Sequence, residues 1–396
     1  MKEILDVWPP MQIIIHDSQP THLGGDSITV ALEHRDRVCD IRLTYLTSSL
    51  MERLASVMQE PFPVLTNLEL HYSSYHDHVS PVVPDTFLGG FAPCLESLHL
   101  SGIPFPALPK LLLSSRDLVR LRLYEVPHTG YISPEAMVTC LSALTKLEFL
   151  TLAFQPSSSR GSQHLPPESR IVLPALTELV FQGASAYLED LLARIDTPVI
   201  RRTEITFFHQ DIFHTPHLLE SVSRAATVEP FKHARLYCYS GISRIDLHPA
   251  DRNYGYPFLR IGVLCDVFDW QVSFLVRICN QFSPLFSCVE SLYIRHENMD
   301  PQGDLDYMQW LGIFHPFIAL QSLHIEPRVA PLIAAALQEL TGDNVMLVLP
   351  ALRSISFALD PPRSVQQALH QFIAARQLSG HPVTAQPWIP LVWVNS

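Results

Sequence analysis

The segment Leu118–Leu123 reads LVRLRL, and it carries the pattern that decides the fold: apolar residues at its first, fourth and sixth positions. The same six-residue pattern reads LTNLEL at 65–70, LESLHL at 95–100 and LEFLTL at 147–152. Further copies begin at residues 38, 176, 231, 258, 289, 320 and 352, and a degenerate copy, RTEITF, begins at Arg202. Successive first positions are 23 to 32 residues apart. One such hexamer is common in a leucine-rich chain, but twelve of them at a period of about 29 residues indicate an internal repeat.

This repeat predicts a leucine-rich-repeat fold, in which each unit contributes one short strand. Side chains alternate along a strand, so the apolar first, fourth and sixth positions are expected to point inward. The third, fifth and seventh positions are then expected on the opposite, concave face. We predict an α/β solenoid of about twelve repeats, an irregular horseshoe with a parallel sheet on the concave side and helices on the convex side.

The segments between the hexamers carry helical patterns. Ser133-Pro134-Glu135 is typical of a helix start, with the serine as N-cap and the proline in the first turn. Helices are also predicted at 47–59, 187–195, 218–226, 270–282, 305–314, 331–340 and 365–378. A strand, a loop and a helix in each repeat favour right-handed crossovers between parallel strands.

Two features depart from a regular repeat. The asparagine or cysteine expected at the ninth position is absent, as at Ser73, Ile103 and Val126, so uneven curvature is expected. Insertions are predicted at 155–170, as a Ser/Pro-rich loop, and at 239–256, as a hairpin or a lip on one edge. The predicted organisation is an N-terminal capping segment at 1–37, the solenoid at 38–385 and a C-terminal tail or cap at 386–396.

Composition narrows the class of protein. The chain has 396 residues, and 27 basic against 39 acidic residues give a formal net charge of −12. An acidic chain without a basic stripe argues against nucleic acid or a membrane surface as partner. No apolar run is long enough for a transmembrane span, and a secretory signal is not expected. Seven cysteines without C-x-x-C spacing are expected to be reduced and buried, as in a cytoplasmic or nuclear protein.

No sequence motif of catalysis is present: the chain lacks a G-x-S-x-G elbow, a P-loop and a G-x-G-x-x-G turn. Histidines number 19, and their densest groups are His76-Asp77-His78 and the set His209, His214 and His217. Neither group has the H-E-x-x-H or C-x-x-C spacing of zinc sites. We therefore expect no enzymatic activity, no cofactor and no metal.

Function is expected on the concave face, because side chains on a rigid strand scaffold suit recognition of a protein partner. Arginine and tyrosine are among the residue types enriched at interface hot spots. The residues predicted to contact a protein partner are Glu69, His99, Arg120, Arg122, Tyr124, Phe208, Arg235, Tyr237, Arg260, Tyr293, Arg295 and His324. Asn67, His71 and Phe149 are expected around them.

Several further stretches carry a resemblance to a known family. Trp8-Pro9-Pro10 precedes an Ile-rich strand at 11–15, and residues 33–43 read EHRDRVCDIRL. In order, the chain then reads QEPFP at 59–63, PCLESL at 93–98, LPALTEL at 173–179 and ARQLSGHPV at 375–383. With these stretches, nearly the whole chain resembles the leucine-rich-repeat region of fungal (basidiomycete) F-box proteins.

The resemblance implies the substrate-recognition part of an SCF-type ubiquitin-ligase receptor, whose F-box docks a Skp-type adaptor while the repeats capture the substrate. Other subunits of such a ligase supply the chemistry. Residues 1–37 are too short for a three-helix F-box and lack its Leu-Pro start, which counts against adaptor docking. We expect either a fragment without its F-box or a stand-alone repeat protein, such as an inhibitor or an assembly scaffold. A hydrolase with its site in an insertion is the third alternative.

Overall fold

The computed structural model describes residues 11–18, 22–72, 82–156, 170–210, 214–250, 257–296, 308–340, 346–357 and 362–387. These residues form a mixed α/β fold with a large, mostly parallel sheet of fifteen strands. The α/β class predicted from the sequence is therefore confirmed. The chain divides into two compact units, Met1–Thr203 and Glu204–Ser396.

The first unit alternates parallel strands with short helices. Its strands are β1 (Ile13–Asp17), β2 (Val38–Leu46), β3 (Asn67–Tyr72), β4 (Ser97–Ser101), β5 (Arg120–Val126), β6 (Phe149–Phe154), β7 (Ile171–Val172), β8 (Glu178–Gly183) and β9 (Ile195–Asp196), and β10 (Arg202–Phe208) crosses the boundary. Its helices are α1 (His22–Leu32), α2 (Ser48–Val57), α3 (Leu108–Ser114), α4 (Pro134–Leu141) and α5 (Ser185–Arg194). The strand order is β1-β2-β3-β4-β5-β6-β8, with every pair parallel, and β7 pairs separately with β9.

The second unit repeats this alternation with one exception. Its strands are β11 (Phe231–Tyr239), β12 (Ile242–Pro249), β13 (Leu259–Leu264), β14 (Ser291–His296), β15 (Ser322–Ile325), β16 (Ser354–Phe357) and β17 (Thr384–Pro387). Its helices are α6 (Pro216–Val228), α7 (Phe268–Gln281), α8 (Ser283–Phe286), α9 (Met308–Phe314), α10 (Ala330–Gln338) and α11 (Arg363–Leu378). The strand order is β13-β12-β11-β14-β15-β16-β17.

Strand β12 is the exception, because it runs against its neighbours. Ser240 and Gly241 form a two-residue turn after β11, with Gly241 at a φ of 81°, and β12 returns antiparallel to β11 and to β13. A two-residue turn joins antiparallel strands, whereas a parallel neighbour needs a longer crossover. The expectation of a wholly parallel sheet is therefore wrong here, and the segment predicted as a hairpin or edge lip provides a strand inside the sheet.

All twelve hexamers overlap a strand, and in most of them the side chains alternate as predicted. The exceptions include Thr151, Gly262 and Ser356, which are buried at fifth positions, and Phe357, which is half-buried at a sixth position. On β5, Leu121 and Leu123 are 0% and 3% exposed, whereas Arg122 is half-buried and Arg120 is exposed. Fully burying a leucine side chain contributes about 1.5–3 kcal/mol relative to leaving it in water. The apolar hexamer positions therefore supply the core, and the positions between them form a polar surface.

The backbone hydrogen bonds that lead into the strands also recur. Leu95 N donates to Ala92 O across a tight turn at 3.3 Å. Thr66 O then accepts from both Glu96 N and Ser97 N, at 2.8 and 3.0 Å. The same arrangement recurs along the chain: one backbone carbonyl oxygen accepts from two consecutive backbone N–H groups. The residues that provide this oxygen are Glu96, Val119, Glu148, Thr177, Glu290 and Gln321. These hydrogen bonds fix each of the seven strands concerned in a defined stagger against the neighbouring strand.

The helix predicted to begin at Ser133 is present as α4. Ala136 N donates to Ser133 Oγ at 3.2 Å, and Pro134 is the first helical residue, so the predicted N-cap is confirmed. The other predicted helices overlap α2, α5, α6, α7, α9, α10 and α11. Helix α1 lies within the predicted capping segment and was not anticipated.

Some sequence predictions fall on residues that lie outside the described part of the chain. These are most of the first insertion (157–169), the group at His76 and His78, the end of the second insertion (251–256) and most of the tail (388–396). The first two residues of the predicted tail, Gln386 and Pro387, belong to β17.

We expect Leu121→Ala to lower the free energy of unfolding by about 2–5 kcal/mol, since the substitution leaves a cavity at a fully buried position of β5. Arg120→Ala, one residue away on the opposite face, is the matched control and should cost less than about 1 kcal/mol. Urea denaturation followed by circular dichroism measures both values. Equal losses would contradict the side-chain alternation of β5.

Candidate functional site

Five of the predicted partner-binding residues lie together on the sheet of the first unit. Glu69, His99 and Arg122 are directly paired across β3, β4 and β5. Arg120 and Tyr124 lie two residues either side of Arg122 on β5, and all five are directed away from the buried leucines. We define the first polar face as Asp40, Arg42, Asn67, Glu69, His71, His99, Arg120, Arg122 and Tyr124.

A depression of about 370 Å³ lies in this face. It is lined by Asp40, Arg42, Thr66, Asn67, Glu69, Glu96, Ser97, Arg120 and Arg122. Three carboxylates and three guanidinium groups are among these side chains, so their formal charges balance. A lining of both signs complements a partner that also presents both signs, which is typical of a protein surface.

Asp40 organises one side of the first polar face. Its carboxylate accepts hydrogen bonds from Asn67 Nδ2 at 2.8 Å and from Arg42 Nη2 at 3.0 Å, and His16 Nε2 lies 3.0 Å from Oδ1. Partial burial by itself raises the pKa of Asp40, but the hydrogen bonds from Asn67, His16 and Arg42 outweigh burial and lower it. The charged carboxylate therefore holds Arg42 and Asn67 in place.

Glu69, His71 and His99 bring three ligand-type atoms to one point of the face. His71 Nε2 lies 3.1 Å from Glu69 Oε1 and 3.3 Å from His99 Nδ1. The third distance, from His99 Nδ1 to Glu69 Oε1, is 3.5 Å. The two imidazole rings meet edge to face, with centroids 4.2 Å apart. The three side chains therefore converge although they come from two different strands.

His99 is the most buried member of this cluster. Burial, and then the neighbouring charges of His71 and Arg122, lower the pKa of His99 to about 4 against the opposing effect of Glu69. His99 is therefore a neutral imidazole at neutral pH. The ring of Tyr124 covers one side of it, with the two centroids 5.3 Å apart.

The second unit presents a stacked pair of tyrosines with an arginine over them. Tyr237 and Tyr239 stack with centroids 5.6 Å apart and rings 11° from parallel. Arg244 Cζ lies 4.8 Å from the Tyr237 centroid and 5.6 Å from the Tyr239 centroid. A guanidinium group over aromatic rings gains cation–π attraction, about 0.5–2 kcal/mol according to exposure. This stack is a pre-ordered surface of the residue types that anchor protein interfaces.

Arg260, predicted to contact a partner, is bound to two carboxylates of its own unit. Its Nε lies 2.9 Å from Asp246 Oδ1 and its Nη1 lies 2.9 Å from Glu204 Oε1. Burial by itself lowers the pKa of Arg260, but the bonds to Asp246 and Glu204 outweigh it and raise the pKa. Arg260 therefore joins β13 to β12 and β10 through ion pairs.

The other predicted residues of the second unit also lie on strand faces. Arg235, Tyr293 and His324 are paired in a row across β11, β14 and β15, and Tyr237 pairs with Arg295. Burial and the charge of Glu326 raise the pKa of Tyr293 to about 12, so its hydroxyl stays protonated. Phe208 ends β10 and is half-buried. We define the second polar face as Arg235, Tyr237, Tyr239, Arg244, Tyr293, Arg295 and His324.

The thiols follow the sequence prediction only in part. Cys39, Cys140, Cys238 and Cys279 are buried, whereas Cys94 and Cys288 are exposed and Cys265 is half-buried. Burial raises the pKa of Cys140 to about 11 and that of Cys238 to about 12, so both thiols stay protonated. The expectation that the cysteines are buried is therefore wrong at Cys94 and Cys288, which lie in the turns before β4 and β14.

Sequence reasoning missed several residues that shape these faces. Tyr239, Arg244 and Asp246 lie in or beside the predicted insertion, which was not assigned a place in the sheet. His71 was expected near the partner surface, but its approach to His99 was not. The sequence did contain a signal for this approach. Glu69 and His71 are two residues apart on one strand, and His99 occupies in the next hexamer the position that Glu69 occupies in its own.

No protein-family model matches the chain, and no curated protein matches it either. Within the described ranges, the helices are too short or too polar to cross a membrane.

We expect Arg260→Met to lower the free energy of unfolding by about 3–5 kcal/mol, because it leaves the buried carboxylate of Asp246 without its main counter-charge. Adding Asp246→Asn removes that charge, so the double variant should lose clearly less than the sum of the two single variants. Urea denaturation of the three variants gives the coupling energy. Strictly additive losses would show that the pair does not interact.

His248 on β12 provides a pH-dependent contribution to stability. Its side chain is 3% exposed, and within the described part of the chain neither ring nitrogen has a hydrogen-bond partner. Burial and the charges of Arg235, His233 and Arg260 lower the pKa of His248 to about 4. The unfolded chain takes up this proton at a pH of about 6.5, well before the folded chain does. Stability is therefore lost as the pH falls from that value towards 4.

We expect His248→Phe to reduce this acid sensitivity. At a pH of about 5 the titration of His248 should cost the wild type roughly 2 kcal/mol of unfolding free energy, and the variant lacks that cost. Urea unfolding curves at several pH values between about 4 and 7 measure the difference. A variant with the same pH dependence as the wild type would show that His248 does not carry it.

Proposed function

We propose that this protein is a non-catalytic scaffold that binds a protein partner through its polar strand faces. We further propose that the sheet belongs to an irregular leucine-rich-repeat solenoid of about twelve repeats, in which these faces form the concave side. The twelve hexamers, each overlapping a strand, and the recurring hydrogen bonds before the strands support the repeat assignment.

The observation that carries the binding proposal is the pre-ordering of side chains on the strand faces. Tyr237, Tyr239 and Arg244 hold one another in a stack, and Asp40 holds Arg42 in the first unit. Side chains that are already fixed lose little rotamer entropy on binding, which otherwise costs about 0.5–1.5 kcal/mol each. Fixed arginine and tyrosine side chains on a rigid sheet are therefore suited to anchoring another protein.

Charge favours a protein over nucleic acid as that partner. The depression in the first polar face carries balanced charges, and the chain as a whole has a formal net charge of −12. Binding to nucleic acid relies on an excess of lysine and arginine that neutralises phosphates. A partner surface with interspersed acidic and basic groups complements this face better.

The resemblance to F-box proteins supports a narrower proposal, in which the bound protein is a substrate presented to a ubiquitin ligase. The alternative is a stand-alone binding or inhibitor protein without a link to a ligase. The two differ in what accompanies the partner: a ligase receptor is expected to co-purify with Skp-type adaptor and cullin subunits. In both cases the chain binds and does not itself catalyse a reaction.

Site-specific photocrosslinking tests the proposal directly. A photoreactive amino acid replaces the exposed Arg120 of the first polar face in one sample, and replaces the exposed Glu52 of helix α2 in the matched control. Both proteins are irradiated in native lysate, and the adducts are identified by mass spectrometry. We expect adducts with a defined protein at position 120 that are absent at position 52.

The identified protein is then titrated against Arg122→Ala/Arg235→Ala/Tyr293→Ala by calorimetry. We expect at least a tenfold loss of affinity, since the variant removes two arginines and a tyrosine from the strand faces. Glu52→Ala/Arg363→Ala, with changes on helices, is the control and should bind as the wild type does. Adducts at both positions, or full affinity in the triple variant, would place binding elsewhere. Adaptor and cullin subunits that co-purify with the crosslinked complex would favour the ligase receptor over the stand-alone protein.

A further inference from the structure

The three atoms His71 Nε2, His99 Nδ1 and Glu69 Oε1 form a nearly equilateral triangle. Its sides are 3.1, 3.3 and 3.5 Å. A tetrahedral zinc ion bound at about 2.0–2.1 Å separates its ligand atoms by about 3.3–3.4 Å. The triangle therefore has side lengths close to those of one face of a zinc coordination tetrahedron.

The sheet explains why these atoms converge. Glu69 and His71 are two residues apart on β3, so both side chains leave the same face of the strand. His99 is the direct neighbour of Glu69 on β4. Two short parallel strands thus place three side chains on adjoining positions of one rigid surface. Ligands on strands lose little freedom when an ion binds, which favours affinity.

The chemical nature of the three groups also fits a borderline transition metal. Two imidazole nitrogens and one carboxylate oxygen are common zinc ligands. The side chains of Glu69, His71 and His99 are 29%, 30% and 15% exposed, so the cluster is shielded but reachable from solvent.

We propose that Glu69, His71 and His99 bind one divalent transition-metal ion of the zinc class. Three protein ligands leave a fourth coordination position open to water or another ligand on the first polar face. This site goes beyond the proposed protein-binding function and does not depend on it. It also replaces the sequence-based expectation of no metal, which considered only ligand spacings along the chain.

Arg122 sets the strength of the site. It is paired directly with His99 on the adjoining strand, and its guanidinium group carries a positive charge. The same charge repels a bound cation, so the site should be weaker than one without an arginine beside it. Arg122→Met should therefore bind the ion several-fold more tightly than the wild type, a gain that a purely structural role for the cluster would not produce.

The test is a titration of the full chain, first stripped with a chelator, with zinc chloride followed by calorimetry. Cobalt(II) replaces zinc in a parallel titration, because a tetrahedral site gives it intense visible absorption. We expect one ion per chain, a tetrahedral cobalt spectrum, and at least a tenfold weaker affinity in His71→Ala, His99→Ala and Glu69→Gln. Circular dichroism confirms that each variant is folded.

Two control variants separate this cluster from the other histidines. His128→Ala removes an exposed histidine of the same unit outside the sheet, and His76→Ala/His78→Ala removes the densest histidine pair in the sequence. Both should bind zinc as the wild type does. No stoichiometric binding by the wild type, or undiminished binding by folded His71→Ala and His99→Ala, would overturn the proposal and leave the cluster as a hydrogen-bonded group only.

Discussion

The structure depends on one constraint: most of the short strands bury every second side chain and leave the others on a single face. A shift of one residue in the pairing would bring charged residues such as Arg122 into the core and expel Leu121. Neighbouring parallel strands direct their side chains to the same sides of the sheet, because buried leucines pair with buried leucines, as Leu98 does with Leu121. The composition of the polar faces is therefore a consequence of the packing of the core.

Polar side chains on a half-buried face need interaction partners within the protein. These interactions hold the side chains of the two polar faces in defined positions. The Asp40 carboxylate accepts hydrogen bonds from Asn67 and Arg42. The Asp246 carboxylate accepts a hydrogen bond from Arg260. Tyr237 and Tyr239 instead stack against each other. These interactions position the side chains before any ligand arrives. Both proposals rest on this property, since a protein partner and a metal ion each bind better to groups that are already in place.

The sequence predicted the repeat strands and their mostly parallel direction, because the hexamer signal is local, but it predicted neither the antiparallel β12 nor the pairing of individual residues across strands. Ile242–Leu247 reads ISRIDL and fits the hexamer pattern, yet it forms the antiparallel β12; LPKLLL at 108–113 also fits and is helical in α3. The approach of His71 to His99 could not be predicted either. His71 and His99 are 28 residues apart, whereas the hexamers recur at irregular intervals of 23 to 32 residues. The stagger between the two strands, which brings the two rings together, therefore cannot be read from the sequence. The partners of Arg260 were missed for the same reason.

Thiol labelling of single cysteines along β3 and β14 tests the central claim most directly. In a Cys94→Ser/Cys288→Ser background, which removes the two exposed native thiols, one cysteine at a time is placed at Glu69, Leu70, His71, Leu292 and Tyr293. The account predicts that the thiols at 69, 71 and 293 react at least tenfold faster than those at 70 and 292 in the folded protein. Similar rates at neighbouring positions, or the reverse order, would contradict the assignment of these residues to polar strand faces.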